Sequence, residues 1–204
     1  MTTHLGLQRI MIPSAQVSQL TTGSITLPSA RGAFAEGDFI SIASGSGTGS
    51  SQSITFSNVP QTYKHLQIRG IGQASYSSND EGSVGIRLNG DTGSNYTRKA
   101  GPFGGGATTS DGIILSTVFA EAGDGAFLNT GNTVGANIID ILNYTNSSAY
   151  KSIRGIGGTD RNGAGSVRMG AGLWLNTAAV TSVTVYQQNA NFTTQSFYAL
   201  YGIG

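Results

Sequence analysis

The side chains that could perform acid–base or nucleophilic chemistry are few and lie far apart along this chain. It contains two histidines, His4 and His65, and no cysteine. Neither histidine belongs to a His-x-x-x-His or Glu-x-x-His spacing, so we expect no metal site built on imidazole. The absence of cysteine excludes disulfides, zinc–thiolate sites and cysteine nucleophiles, and suits folding in a reducing cytoplasm. We therefore expect no cofactor.

Paired carboxylates are the remaining route to catalysis, because two of them can act as acid and base in glycoside cleavage. The candidates are Asp80 with Glu81, Glu121 with Asp124, and Asp160. All lie in stretches rich in Gly, Asn and Ser, where acidic residues usually hydrate a surface. The aspartates of such loops lack the regular alternation of oxygen ligands that calcium loops show. The chain is predicted not to be an enzyme.

Asp140 differs from the other acidic residues because it lies inside the apolar segment 134–144. An unpaired charge is costly to bury, so this carboxylate needs a partner. Arg69, Arg87 or Arg154 could supply it. We expect a structural ion pair or an interface contact here, and not a catalytic acid.

The composition favours β-structure. Of 204 residues, 31 are glycine and only 10% are charged. Glycine, Ser, Thr and Asn all disfavour helices, which leaves short strands joined by turns. The net charge of +1 comes without a basic patch, so no nucleic-acid partner is expected. No apolar run is long enough for a membrane helix, and the N-terminus does not resemble a secretory signal.

Alternating apolar segments separated by turn signals predict about ten short strands. They fall near residues 39–42, 54–56, 65–71, 84–88, 96–99, 113–119, 134–144, 150–156, 167–175, 180–186 and 196–203. Loops are predicted at 44–53, 101–112, 121–132 and 157–165, and Asn89-Gly90 is a hairpin-type turn signal. This pattern is typical of an all-β domain, either jelly-roll-like or a β-sandwich.

The last third of the chain, residues 166–203, has no charged residue after Arg168 and is predicted to close the core with three strands. Trp174, Leu200, Ile139 and Ile141 are the predicted core residues. The pentapeptide at 68–72 recurs at 153–157; two equivalent strands in the two halves of a double-sheet fold would account for it, and chance in a chain rich in Gly and Ile accounts for it nearly as well.

Residues 1–34 are predicted to form an extended N-terminal arm that precedes the β-domain of residues 35–204. Pro13 and Pro28 interrupt regular structure there, and the arm is too apolar for a solvated tail. We expect it to contact a neighbouring subunit; an edge strand folded onto its own domain is the alternative. The predicted interface residues are Leu5, Leu7, Ile10, Met11, Ile12, Leu20, Leu27, Arg31 and Phe34.

An ordered series of phrases resembles tailed-bacteriophage virion proteins from about Gly23 to the end. The phrases are GSITLPSARGAF (23–34), ITFSNVPQTYKHLQIRG (54–70), RLNGDTGSNY (87–96), IIDILNYTNSSAYKSIRGIGG (138–158), AGLWLNTAAVTSVTV (171–185) and FYALYGI (197–203). The resemblance implies a β-rich structural component of the virion, on the capsid exterior or in tail fibres. It brings no catalytic motif.

Two functions are compatible with these features. The first is a capsid decoration, or cement, protein that binds the major capsid protein and neighbouring copies of itself, expected as a homotrimer. The second is a tail-fibre or baseplate module that binds a receptor or host-surface glycan. In the second case, aromatic residues near loops could stack on sugars; these are Tyr76, Tyr96, Phe103 and Tyr144.

Overall fold

The computed structural model describes residues 39–75, 82–103, 114–126, 133–160 and 165–204. These residues form twelve β-strands and no helix. The strands are β1 (Ile40–Ser46), β2 (Ser53–Phe56), β3 (His65–Gly72), β4 (Gly82–Leu88), β5 (Tyr96–Phe103), β6 (Ile114–Thr117), β7 (Ala120–Ala126), β8 (Gly135–Leu142), β9 (Lys151–Asp160), β10 (Gly165–Trp174), β11 (Val183–Gln187) and β12 (Phe197–Ile203).

The strands form a large and a small antiparallel sheet. The large sheet has the order β1-β12-β3-β8-β9-β10-β5-β6, and the small sheet has the order β2-β11-β4-β7. A single parallel pair, Gly72 with Ala126, connects them. The inner faces of the sheets bury one apolar core, so the domain is a sandwich.

The strand order is that of a jelly roll. Four strands of the large sheet (β1-β12-β3-β8) and the four of the small sheet (β2-β11-β4-β7) give the eight strands and two Greek keys of that fold. Two hairpins are inserted into this framework: β5–β6 between β4 and β7, and β9–β10 between β8 and β11. Both extend the large sheet beyond β8. The all-β, jelly-roll-like prediction is confirmed, with twelve strands where about ten were expected.

Branched aliphatic and aromatic side chains fill the core at alternate positions of each strand. On β3, for example, Leu66 and Ile68 are fully buried, whereas Arg69 is exposed. Such alternation is expected where one face of a sheet packs on another. The core also includes Ile54, Phe56, Val84, Ile86, Leu88, Ile139, Ile141, Ile153, Val183, Val185 and Leu200.

Several segments that were predicted as loops are strands. The segment 121–126 belongs to β7, β5 continues to Phe103, and β9 continues to Asp160. Their many glycines suggested turns, but small residues here permit close packing between the sheets. A Cβ on Gly155 of β9 would lie 1.7 Å from the carbonyl oxygen of Ala122 on β7. Close approach of two backbones is thus the reason for glycine at this position.

The Asn89-Gly90 turn exists but does not form the expected hairpin. Both residues have positive φ (52° and 68°), and the Asp91 amide donates to the Leu88 carbonyl at 3.0 Å. However, β4 belongs to the small sheet and β5 to the large one, so the turn carries the chain between sheets. The Trp174 indole donates to the Asp91 carboxylate at 2.7 Å, which attaches this crossing to β10.

Asp91 also accepts hydrogen bonds from the Gly93 amide and the Asn95 side chain. Burial alone would raise the pKa of Asp91, but the hydrogen bonds from Trp174, Asn95 and Gly93 together lower it below its ordinary value. The carboxylate therefore stays ionised and holds the turn in place.

The repeated pentapeptide lies on β3 and β9. These strands were expected in the two halves of a double-sheet fold, but both belong to the large sheet, where they flank β8 on opposite sides. The arginines of the two pentapeptides lie on the outer face of the large sheet. Arg69 pairs with Ile138 of β8, and Arg154 pairs with Asp140 of β8.

Lys151, at the start of β9, is buried without an acidic partner among the described residues. Its ammonium group donates instead to the carbonyls of Asn146, Ala149 (2.8 Å) and Thr177 (2.9 Å). Desolvation lowers the pKa of Lys151. The side chain thereby joins the β8–β9 turn to the segment after β10.

Candidate interaction surface

The outer face of the large sheet carries a row of exposed apolar side chains, which we call the apolar strip. Ile138 of β8 pairs with Ile156 of β9, which pairs with Met169 of β10. These three side chains are 44%, 44% and 53% exposed. The strip continues through Val167 on β10, Ile71 on β3 and Phe197 on β12.

A groove of about 590 Å³ lies over the part of the strip formed by β5, β8, β9 and β10. Ile138, Ile156 and Met169 supply large apolar side chains to it, and Gly101, Gly155, Gly170 and Ala171 line it between them. Lys99, Asp140 and Arg154 also line it. An apolar floor with a few charged groups at its border is the composition of a binding surface.

A chain of polar contacts borders the strip. The Arg69 side chain donates to Gln67 at 2.6 Å, and Gln67 donates to Asp140 at 2.7 Å. Arg154 then donates to the other oxygen of Asp140 at 3.0 Å. Arg154 is therefore the partner that this carboxylate was expected to need. Because Arg154 is 67% exposed, the pair is a surface ion pair and contributes little to stability.

The outer face of the small sheet has a different composition. It presents Thr55 and Thr184, whose hydroxyls lie 2.9 Å apart, and Arg87, which stacks over Tyr186 at 3.6 Å from the ring centre. Soluble proteins rarely leave a contiguous set of large apolar side chains exposed without an interaction partner. The contrast between the two faces therefore makes the outer face of the large sheet the candidate for an interaction, and we call it the contact face.

Phe39 precedes β1 and lies beside the apolar strip. Its ring is under the Arg69 guanidinium, 4.5 Å from the ring centre, and meets Tyr201 edge to face at 6.4 Å. Phe39 and Ile40 are 47% and 43% exposed. Phe39 extends the apolar part of this outer face towards the edge of the sheet, whereas Ile40, which pairs with Gly202, points to the opposite side.

The residues proposed from the sequence fall into two groups. The arm residues Leu5, Leu7, Ile10, Met11, Ile12, Leu20, Leu27, Arg31 and Phe34 lie outside the described residues, and so does the arm as a whole. The four proposed core residues, Trp174, Leu200, Ile139 and Ile141, are at most 1% exposed.

Among the described side chains, those considered for chemistry are not brought together; the side chains of Glu121 and Asp124 on β7 are not among them. His65 is half-buried and its Nδ1 accepts from the Asn143 amide at 3.1 Å. Asp160 ends β9, and Asp80 and Glu81 lie outside the described ranges. Within those ranges, no three His, Asp or Glu side chains lie close enough to hold a metal ion. Tyr96 and Tyr144 are fully buried, so neither can stack on a sugar.

Sequence reasoning missed the apolar strip, although a signal for it was present. Ile138 and Ile139 are adjacent, so β8 is apolar on both faces, as are parts of β9 and β10. Strands that are apolar on both faces are usually covered on both sides. The described residues include no helix that could cross a membrane. Comparison with known proteins found no matching family model, no matching curated protein and no matching solved structure.

Proposed function

We propose that this protein is a structural component of a bacteriophage virion, and specifically a capsid decoration protein. The observation that carries the proposal is a jelly roll that leaves an apolar strip uncovered on one sheet. Such a strip suits a protein whose work is to bind other subunits. The series of virion-like phrases supports the same reading, and many of its residues lie on the strands that bear the strip.

In this proposal, the β-domain and the arm act together on the outer shell. The β-domain contributes a preformed surface, and the arm contributes apolar residues that lie over neighbouring subunits. The partners are the major capsid protein and further copies of this chain, in a homotrimer. The protein is made in the host cytoplasm and resides on the virion. Binding free energy comes from apolar burial and shape complementarity.

Electron microscopy of the particle that carries this chain tests the proposed position. An antibody raised against the chain and coupled to gold is bound to purified virions. We expect label over the capsid surface, in many copies per particle. Label confined to the tail would refute the decoration role and favour the receptor-binding or glycan-binding alternative. Absence of label from intact and partly disrupted particles would refute the virion assignment.

Deletion of residues 1–34 tests the proposed role of the arm. We expect the shortened chain to keep the circular dichroism spectrum of the β-domain and to lose binding to empty capsids. The full chain is the positive control in the same sedimentation assay. Unchanged capsid binding by a folded, shortened chain would exclude the arm as the attachment segment.

A further inference from the structure

We infer that the apolar strip is a self-association surface, on which a second copy of this chain packs its own strands. The occupant is thus neither a small ligand nor a membrane, but another molecule of the same protein. This inference deepens the proposed function, because it assigns a surface to the expected homo-oligomer. It stands on the geometry of the large sheet alone.

The size of the face fits a protein partner. Eight strands at a spacing of about 4.8 Å make the sheet about 34 Å wide, and strands of eight residues are about 27 Å long. The face therefore measures about 900 Å², close to the area of about 800 Å² that one partner contributes to a stable protein interface. The groove over Ile138, Ile156 and Met169 lies within this face and has a capacity of about 590 Å³.

The arrangement of polar and apolar side chains on the face also fits a protein partner. The exposed apolar side chains of the strip lie together on the middle strands of the face, and a polar row of Gln67, Asp140, Arg154 and Lys99 crosses the same face beside them. Specific interfaces combine a continuous apolar patch with polar groups around it. Met169 is the most exposed member of the strip at 53%, and methionine side chains adapt readily to a partner surface.

The charges on the face are few and leave contact between two copies possible. Arg154 and Asp140 neutralise one another, and the positive charge of Arg69 lies over the Phe39 ring. Lys99 remains at the border, where its long side chain can keep the ammonium in water. Because the whole chain has a net charge of only +1, long-range repulsion between copies is weak. A partner selected by charge, such as nucleic acid or an anionic membrane, would require more cations than this face offers.

The position of the strip within the fold also supports a role in self-association. Ile156, Val167 and Met169 belong to the β9–β10 hairpin, which is an insertion in the eight-stranded framework. The inner face of this hairpin covers β7 through Gly155 and Gly172, which approach Ala122 and Ala120. Its outer face has no covering element among the described residues. The hairpin widens the sheet and supplies half of the strip.

Sedimentation velocity of the full chain over a range of protein concentrations tests the inference. We expect the wild type to be oligomeric, and Ile156→Lys to raise the dissociation constant by about 30-fold or more, because a lysine would be buried at the centre of the interface. Thr55→Lys, at an exposed strand position on the small sheet, is the matched control and should leave the oligomer unchanged. Circular dichroism of both variants verifies that they are folded.

A second measurement uses the absence of cysteine from the chain. Maleimide labelling of Met169→Cys should be at least tenfold slower at protein concentrations that favour the oligomer than at concentrations that favour the monomer. Labelling of Thr55→Cys should not depend on concentration. Three results would overturn the inference. They are a monomeric wild type, an Ile156→Lys variant that remains oligomeric, and a Met169→Cys side chain that is labelled equally fast in the oligomer. None of these results depends on where the protein lies in a particle, so this inference and the proposed function can fail separately.

Discussion

Among single residues, Trp174 connects β10 both to β5 and to the crossing between the two sheets. Its ring is 1% exposed and stacks with Tyr96 of β5, with the ring centres 6.5 Å apart. Its indole nitrogen donates to Asp91, at the crossing between the two sheets. The same side chain thus contributes apolar burial and a charge-assisted hydrogen bond.

Replacement of this side chain should be costly. We expect Trp174→Ala to lower the free energy of unfolding by about 3 to 5 kcal/mol, because it leaves a cavity beside Tyr96 and removes a donor from Asp91. The measurement is urea denaturation followed by circular dichroism at low, fixed protein concentration. Leu173→Ala is the control. The Leu173 side chain is next to Trp174 in the sequence but lies on the outer face and is 38% exposed, so this variant should lose less than about 1.5 kcal/mol of unfolding free energy. Equal losses for the two variants would contradict this account.

At the scale of elements, contact between β7 and the β9–β10 hairpin depends on residues without large side chains. Added Cβ atoms at Gly155 and Gly172 would lie 1.7 Å and 2.5 Å from backbone oxygens of Ala122 and Thr97. Such distances cannot be relieved by rotating a side chain, so the strands would have to move apart. The outward-facing Gly158 differs, because its nearest neighbour would be 3.1 Å away.

A single added methyl group should therefore cost much more stability at one position of β9 than at another. We expect Gly155→Ala to lower the free energy of unfolding by about 3 kcal/mol, through overpacking between the sheets. Gly158→Ala should change it by less than about 1 kcal/mol, since its neighbours need shift only by tenths of an ångström. Thermal and urea denaturation of the two variants measure the difference. Comparable stability of both proteins would show that β7 does not pack closely on β9.

At the scale of the whole molecule, the two outer faces have different chemistry. One sheet presents threonines, Arg87 and Tyr186 to solvent, and the other presents the apolar strip. Besides the Arg154–Asp140 pair, the charges near the strip are those of Arg69 and Lys99. An assembly formed through the strip should therefore depend mainly on apolar burial.

This dependence predicts a weak response of self-association to salt. Raising the ionic strength from about 0.05 M to about 0.5 M shortens the screening length from about 14 Å to about 4 Å and would strongly weaken an assembly held by charge. We expect the dissociation constant of the full-chain oligomer to change by less than about threefold over this range. Sedimentation velocity at each ionic strength provides the measurement. A tenfold or larger weakening would indicate that Lys99, Arg69 or Arg154 binds an acidic surface on the partner.

Local patterns in the sequence determined much of the fold and little of the contact face. The alternation along β3 and β4, the apolar run of β8 and the Asn89-Gly90 turn signal depend on neighbours in the chain, and such local patterns predicted the β-class and most strands. The glycine-rich β7 was missed because its pairing with β4 and its packing on β9 are contacts between distant segments.

The tertiary structure decided which apolar residues are covered. Ile138 and Ile139 are neighbours of equal hydrophobicity, yet one is 44% exposed and the other is fully buried, because a strand directs successive side chains to opposite faces. Which face meets the small sheet depends on the register with β3 and β9, and so does the choice of Arg154 as the partner of Asp140. Register is set by long-range pairing. For that reason the sequence by itself determined most strands of this protein, and only their assembly created the apolar strip.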